Sequence, residues 1–305
     1  MTAVLLPLDG SRFAESVVPL ALTVAGALNG DLHVVRVHEL LALPTMDAIT
    51  PIPMIDASFE EEARAAQRAE LESTAADLQR SAHRPVHAAL LDGSVVPALI
   101  EYARVNHIGM IICSTHGRSG FARAALGSVA EELARSAFIP VMLLHPAEGH
   151  PPAAPARFEH VLVPLDGSAM SELVLPPALA LLTGPRKVTL FRMVTPVTVD
   201  LAPTPMPIAM TDPTAIEAEM AAARDYLEGV ASTLRPQGFD ADVEVSANVA
   251  TPSSIEQVVN DRKPDFIAMV THGRSGFARF IMGSVTESLV AKVRIPVVVY
   301  HPPGN

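Results

Sequence analysis

One nonapeptide, Thr-His-Gly-Arg-Ser-Gly-Phe-Ala-Arg, is written twice without a gap, at 115–123 and at 271–279. No other feature limits the fold of this chain so strongly. "PLDGS" at 7–11 returns at 164–168, and "GSV" at 127–129 returns at 283–285. "IPV", more apolar residues and "HP" at 139–146 return at 295–302. The first motif is offset by 157 positions and the others by 156, so one residue has been gained or lost between them. A period of this length far exceeds the roughly 20–50 residues of solenoid repeats and matches a whole domain. The 305 residues therefore read as one domain duplicated. The Pro- and Ala-rich stretch "HPAEGHPPAAPARF", 145–158, reads as a stiff, exposed connection. The expected organisation is a first domain over 1–146, a linker over 147–157 and a second domain over 158–305.

Each copy alternates strand and helix patterns. In the first, the apolar runs "AVLLPL", "LHVVRV" at 32–37, "VHAALL" at 86–91, "GMIIC" at 109–113 and "PVMLL" at 140–144 read as five strands. Helices are expected over 11–28, over the stretch from Ser58 to about 81, over 95–105 and over 128–137. Ser11 is the expected cap of the first, and Pro19 predicts a kink or late start within it. Ser58 with Glu61, and Thr214 with Glu217 in the second copy, fit capping boxes. Near-continuous apolar strands alternating with helices imply an α/β fold of two tandem doubly wound domains, each a five-stranded parallel sheet with helices on both faces.

Composition removes several function classes. Apolar residues make up 49% of the chain and charged residues 18%, the balance of a compact protein. No apolar run approaches the ~18 residues that would suggest a membrane span. The short apolar start lacks a basic leader and cleavage site, and reads as a strand. The formal net charge of −11 disfavours nucleic acid and anionic lipid as partners. The single cysteine, Cys113, rules out an internal disulfide framework and fits a cytoplasmic location. No histidine pair has metal-ligand spacing, and neither Gly-x-x-x-x-Gly-Lys-Ser/Thr nor Gly-x-Gly-x-x-Gly is present.

The two repeated motifs fall at strand carboxyl ends. "DGS" follows strand one, and "STHGRSGFARAALGS" follows strand four. In an open doubly wound sheet, ligands bind beyond those ends where strand order reverses. If the order is 3-2-1-4-5, strands one and four flank that crevice. The second loop suits an anion. Gly117 and Gly127, repeated as Gly273 and Gly283, let the backbone adopt positive φ and approach a phosphate closely. Ser128 and Ser284 open a helix whose first amides are unpaired donors. Arg118, Arg123, Arg274 and Arg279 supply local positive charge. Simpler roles compete: Asp9 fits a turn or helix cap, and His116 and His272 fit either phosphate contact or support of the loop. Two Pro- and Met-rich stretches, 40–56 and 196–212, leave the end of strand two and suit a lid or an interface.

At these residues the chain resembles the universal stress protein family in tandem-domain form, over both halves outside the linker and the two Pro-rich stretches. Nucleotide-binding members carry Gly-x-x-Gly, nine residues, then Gly and Ser or Thr. Here the later part stands as Gly117-x9-Gly127-Ser128 and Gly273-x9-Gly283-Ser284. The first glycine is replaced by Ser114 and Val270; a β-branched residue resists unusual φ and crowds a ligand, so Val270 departs further. The resemblance implies the adenine nucleotide alpha hydrolase-like fold with strand order 3-2-1-4-5. It implies ATP as ligand, its phosphates and ribose on the glycine motif, with an accompanying Mg²⁺ left open. Asp9 or Asp166 would line the adenosine side, the backbone at Val37 or Met193 would meet adenine, and Val129 and Val285 would close the phosphate loop. It also implies pairing of the two domains through strand five, "PVMLL" against "PVVVY", and further association into a homodimer. The expected function is a stress-response protein using an adenine nucleotide as a structural or signalling ligand. A slow ATPase and a scaffold without nucleotide are the alternatives.

Overall fold

The structure is a computed structural model that describes residues 2–39, 57–115, 126–145, 155–195, 199–200, 209–210, 213–248, 251–271 and 284–302. The first half contains β1 (Ala3–Pro7), α1 (Arg12–Ser16), α2 (Val18–Ala27), β2 (Leu32–His38), α3 (Ala57–Ala82), β3 (Val86–Asp92), α4 (Val95–Val105), β4 (Ile108–Ser114), α5 (Ser128–Ser136) and β5 (Val141–Leu144). The second contains β6 (Phe158–Pro164), α6 (Ala169–Glu172), α7 (Leu175–Leu179), β7 (Leu182–Val194), the two-residue strands β8 (Val199–Asp200) and β9 (Ala209–Met210), and α8 (Pro213–Leu234). It continues with β10 (Asp240–Ala247), α9 (Thr251–Arg262), β11 (Phe266–Val270), α10 (Ser284–Lys292) and β12 (Val297–Tyr300).

The large sheet has ten strands in the order β10-β7-β6-β11-β12-β5-β4-β1-β2-β3. Each half contributes five parallel strands in the order 3-2-1-4-5, counting only strands of this sheet. The halves join where β5 and β12 pair antiparallel, Val297 opposite Leu143, Val298 opposite Met142 and Val299 opposite Val141. That seam is buried on both faces, so two apolar cores run through the whole sheet, one on each side. One core lies under α2, α3, α7 and α8; the other lies under α4, α5, α9 and α10.

Local sequence explains the elements. β1, β5 and β11 are covered by helices on both faces, which is why their residues are apolar without alternation. α4 buries Val96, Leu99 and Ala103, spaced to form one helical stripe. The long, polar α3 offers a narrower stripe of Leu71 and Ala75, continued by the partly buried Leu78 and Ala82. Pro19 acts as expected: the helical stretch breaks at Val17, and α2 restarts with the proline in its first turn. After α4, His107 takes φ 51°, and Lys263 takes φ 50° at the same point after α9, each ending a helix before a strand.

Two expectations about helix starts need correction. α3 begins at Ala57 and α8 at Pro213, one residue before the expected caps Ser58 and Thr214. Those residues therefore sit within the first turn of their helices. Pro213 fits the first helical position because the N–H it lacks would have no partner there. The one-residue offset between the copies falls between strands one and two of each half. Leu8 N donates to Val35 O and Leu165 N donates to Phe191 O, and the second interval is one residue shorter.

Candidate functional site

At the carboxyl ends of β1, β2 and β4 a cavity of ≈ 330 Å³ opens beside the amino end of α5. This is where the strand order reverses: β1 lies between β2 and β4, and the chain leaves them in opposite directions. Pro7, Leu8, Asp9, Val35, Val37, Val95, Leu99, Cys113, Ser114, Thr115 and the first turn of α5 are among its walls.

The turn after β1 is held from within. Asp9 Oδ1 accepts from Ser11 N at 2.9 Å, and Ser11 Oγ accepts from Ala14 N at 3.1 Å, capping α1. Between them Gly10 takes φ +79°, and a Cβ there would lie 3.3 Å from the Arg36 guanidinium. Glycine is thus favoured by the backbone, and a side chain there would press on Arg36. Asp9 therefore carries the turn and borders the cavity at once; the two readings of this residue do not exclude each other.

The second wall begins at Thr115, which is fully buried. Its N–H donates to Leu144 O at 3.0 Å, and its hydroxyl lies 3.1 Å from His145 Nδ1. Gly127 N then donates to Thr115 O at 2.7 Å. The loop that leaves at Thr115 is thereby closed onto its own start, and α5 opens at Ser128 directly beside the tip of β4. Gly127 has φ −65° and ψ 146°. This corrects the expectation of positive φ: any residue can adopt that conformation, so glycine at 127 is not demanded by the backbone dihedral. As N-cap it has no side chain to bond the first turn of α5, whose start borders the cavity.

Of the sequence-predicted residues, Asp9, Val37, Ser114, Gly127, Ser128 and Val129 meet around this one cavity. Their counterparts Asp166, Met193, Val270, Ser284 and Val285 occupy the same places in the second half: the turn after β6, the ends of β7 and β11, and the start of α10. Thr271 repeats the clasp, with N–H to Tyr300 O at 3.0 Å and Oγ1 2.9 Å from His301 Nδ1. His116, Gly117, Arg118, Arg123, His272, Gly273, Arg274, Arg279 and Gly283 lie outside the described residues, as does the stretch 40–56. In the other long stretch, Val199 pairs with Met210 and Asp200 with Ala209.

Sequence reasoning missed the Thr115–His145 and Thr271–His301 clasps. The signal was present, since "TH" and "HP" recur in both copies, each threonine thirty residues before its histidine. Cys113 also lines the cavity. Burial pushes its thiol up to about 12, so it is a neutral wall and not a nucleophile. Glu39, just beyond β2, adds a second carboxylate to the rim with Asp9. Among the described residues no group of three His, Cys, Asp or Glu could hold a metal ion.

The model of the Universal stress protein family matches residues 1–145 and again 157–301. The chain belongs to the universal stress protein family. Universal stress protein Slr1230 of Synechocystis is 26% identical over 99% of this chain and 100% of its own length. Universal stress protein Rv2005c of Mycobacterium tuberculosis is 29% identical over 70% of this chain and 68% of its own. Among solved structures, a universal stress protein from Archaeoglobus fulgidus superposes with a TM-score of 0.71 at 18% identity, covering 99% of this chain and 98% of that one. Family membership and this likeness establish two tandem Usp domains of the adenine nucleotide alpha hydrolase-like fold. No described helix is long and apolar enough to cross a membrane.

Proposed function

We propose that the chain is a stress-response protein that binds ATP or another adenine nucleotide as a structural or signalling ligand. The observation that carries this reading is the cavity itself. Its volume of ≈ 330 Å³ falls within the range of small-ligand sites. Its composition is divided as a nucleotide is divided. Val35, Val37, Val95, Leu99 and Cys113 form an apolar side suited to a base. Asp9 and Glu39 are acceptors suited to ribose hydroxyls or an exocyclic amine, and the start of α5 at Gly127 and Ser128 is suited to phosphate.

A helix terminus contributes only ~0.3–1 kcal/mol toward an anion. Useful affinity needs several charge-assisted hydrogen bonds at ~1.5–3 kcal/mol each. We assign these to the amides and hydroxyl at Gly127 and Ser128 together with His116, Gly117 and Arg118 of the repeated loop. A Mg²⁺ ion would ride on phosphate oxygens, since Mg²⁺ commonly takes few protein ligands. The pairing of β5 with β12 occupies the strand-five edges within the chain. A homodimer would therefore associate through another surface.

The test is direct. Purified protein, denatured and examined by mass spectrometry, is expected to release adenine nucleotide, and calorimetry of the emptied protein is expected to show ATP binding. Gly127→Val is expected to weaken that binding at least tenfold while leaving the circular dichroism spectrum unchanged. Absence of both release and binding would leave a scaffold without nucleotide. ADP accumulating at a rate abolished by Asp9→Ala would instead make the protein a slow hydrolase.

A further inference from the structure

The second half repeats the frame of the cleft with larger side chains at four of its wall positions. Sheet register gives the equivalent residues directly. Pro7 pairs with Val35, and Pro164 pairs with Phe191. Ile111 pairs with Val141, and Ile267 pairs with Val297. Val35 therefore corresponds to Phe191 and Val37 to Met193. Two and three residues beyond Ile111 and Ile267, Cys113 corresponds to Met269 and Ser114 to Val270. All four first-half residues line the cavity.

Each is replaced by something larger. A benzyl group stands where the first half has an isopropyl group. Thioether chains stand in place of an isopropyl group and a thiol. An isopropyl group stands in place of a hydroxymethyl group. Phe191 is 1% exposed and lies in the same apolar core as Leu162, Ile255, Ile267 and Met269, on the sheet face that carries the cavity in the first half. Met269 and Val270 are each 8% exposed. The surrounding backbone is held alike in both halves by the Leu8 and Leu165 bonds and by the two threonine clasps. With the frame preserved and interiors packed to crystal-like density, larger side chains at four lining positions must take up volume that the first half leaves open.

We propose that the chain binds nucleotide in its first half only, and that Phe191, Met193, Met269 and Val270 fill the base-binding part of the second cleft from within. This rests on the nucleotide reading above and adds a stoichiometry and a location to it. The second half then serves as a packed partner that buries the β5–β12 seam and carries no ligand of its own.

Calorimetry and native mass spectrometry of the full chain with ATP are expected to give one equivalent. Photolabelling with 8-azido-ATP is expected to mark peptides within residues 1–145. Two equivalents, or labelled peptides within 157–301, would overturn the proposal while leaving nucleotide binding intact; no binding at all would remove both. The paired variant Val35→Phe, Cys113→Met transplants the second-half side chains into the first cleft and is expected to abolish binding. Should it retain one equivalent, the ligand sits elsewhere and the proposal fails. Should it not fold, labelling of the unaltered protein decides the matter alone.

Discussion

The carboxyl ends of the strands and their amino ends have diverged differently between the two halves. At the carboxyl ends the same devices recur. Gly10 and Gly167 occupy the left-handed region at φ +79° and +87°, each against an arginine of the second strand. Thr115 with His145 and Thr271 with His301 join the ends of the fourth and fifth strands in both halves. At the amino ends a histidine bonds a hydroxyl in each half, but the pair is built from different elements. His33 on β2 lies 2.9 Å from Tyr102 Oη on α4. In the second half Thr189, the counterpart of His33, lies 2.8 Å from His160 Nε2 on β6. A buried polar group needs a partner, and several residue types can supply one. A left-handed turn fixes backbone geometry, which few residues can satisfy. The contrast shows which end of the sheet is constrained by shape and which only by satisfied bonds.

The largest test of this picture is at the seam that makes the halves comparable. Met142 is fully buried opposite Val298. Met142→Ala is expected to cost ~2–5 kcal/mol, read from urea unfolding followed by circular dichroism. A loss well under that range would mean the halves do not share one core. Next come the two turns. An L-residue in the left-handed region costs ~1–2 kcal/mol. A Cβ at Gly167 would meet Arg192 at 2.7 Å, against 3.3 Å from Gly10 to Arg36. Gly167→Ala should therefore destabilise more than Gly10→Ala, and the reverse order would show the two turns are not equivalent.

The smallest effect concerns pH. Burial, and then the neighbouring His87, hold the His33 imidazole below its usual range; burial, and then Lys187, do the same for His160. The unfolded chain therefore takes up these protons first. Stability should fall as pH drops through about 6.5. His33→Gln or His160→Gln should flatten that fall in thermal melts between pH 8 and 5.5. His38 has the opposite sign. Hydrogen bonds that its ring donates to Glu60 and Gln67 raise it, so its contribution is present at low pH and is lost as pH rises through the elevated value. His38→Gln should accordingly steepen the acid side, and an unchanged slope would remove His38 from the account.

Much of the fold was legible because local rules dominate where both faces of a strand are buried. The runs at 32–37 and 109–113 lie inside β2 and β4, and 95–105 matches α4 from end to end. Pro19 marked the helix break because its ring admits no other answer. The helix starts fall one residue before Ser58 and Thr214, because a capping box is a pattern of side chains, whereas the helix start also depends on the chain before it. Gly127 misled for a related reason: glycine permits positive φ without requiring it. In the site, Asp9 and Ser128 were legible from repeated motifs, and Ser114 from the family resemblance. Leu99, Cys113 and the Thr115–His145 clasp were not, because their meeting depends on register across β1, β4 and β5.

The sequence by itself determined that two copies of one α/β domain lie end to end, with a turn and a glycine loop kept in each. Repetition and apolar runs are properties of adjacent residues and need no coordinates. Tertiary structure alone decided that Val35, Val37, Cys113 and Ser114 meet at the walls of one cavity. The meaning of a side chain's size depends on what stands across from it. Strand register sets that opposition between residues far apart in the chain, and no local pattern records it.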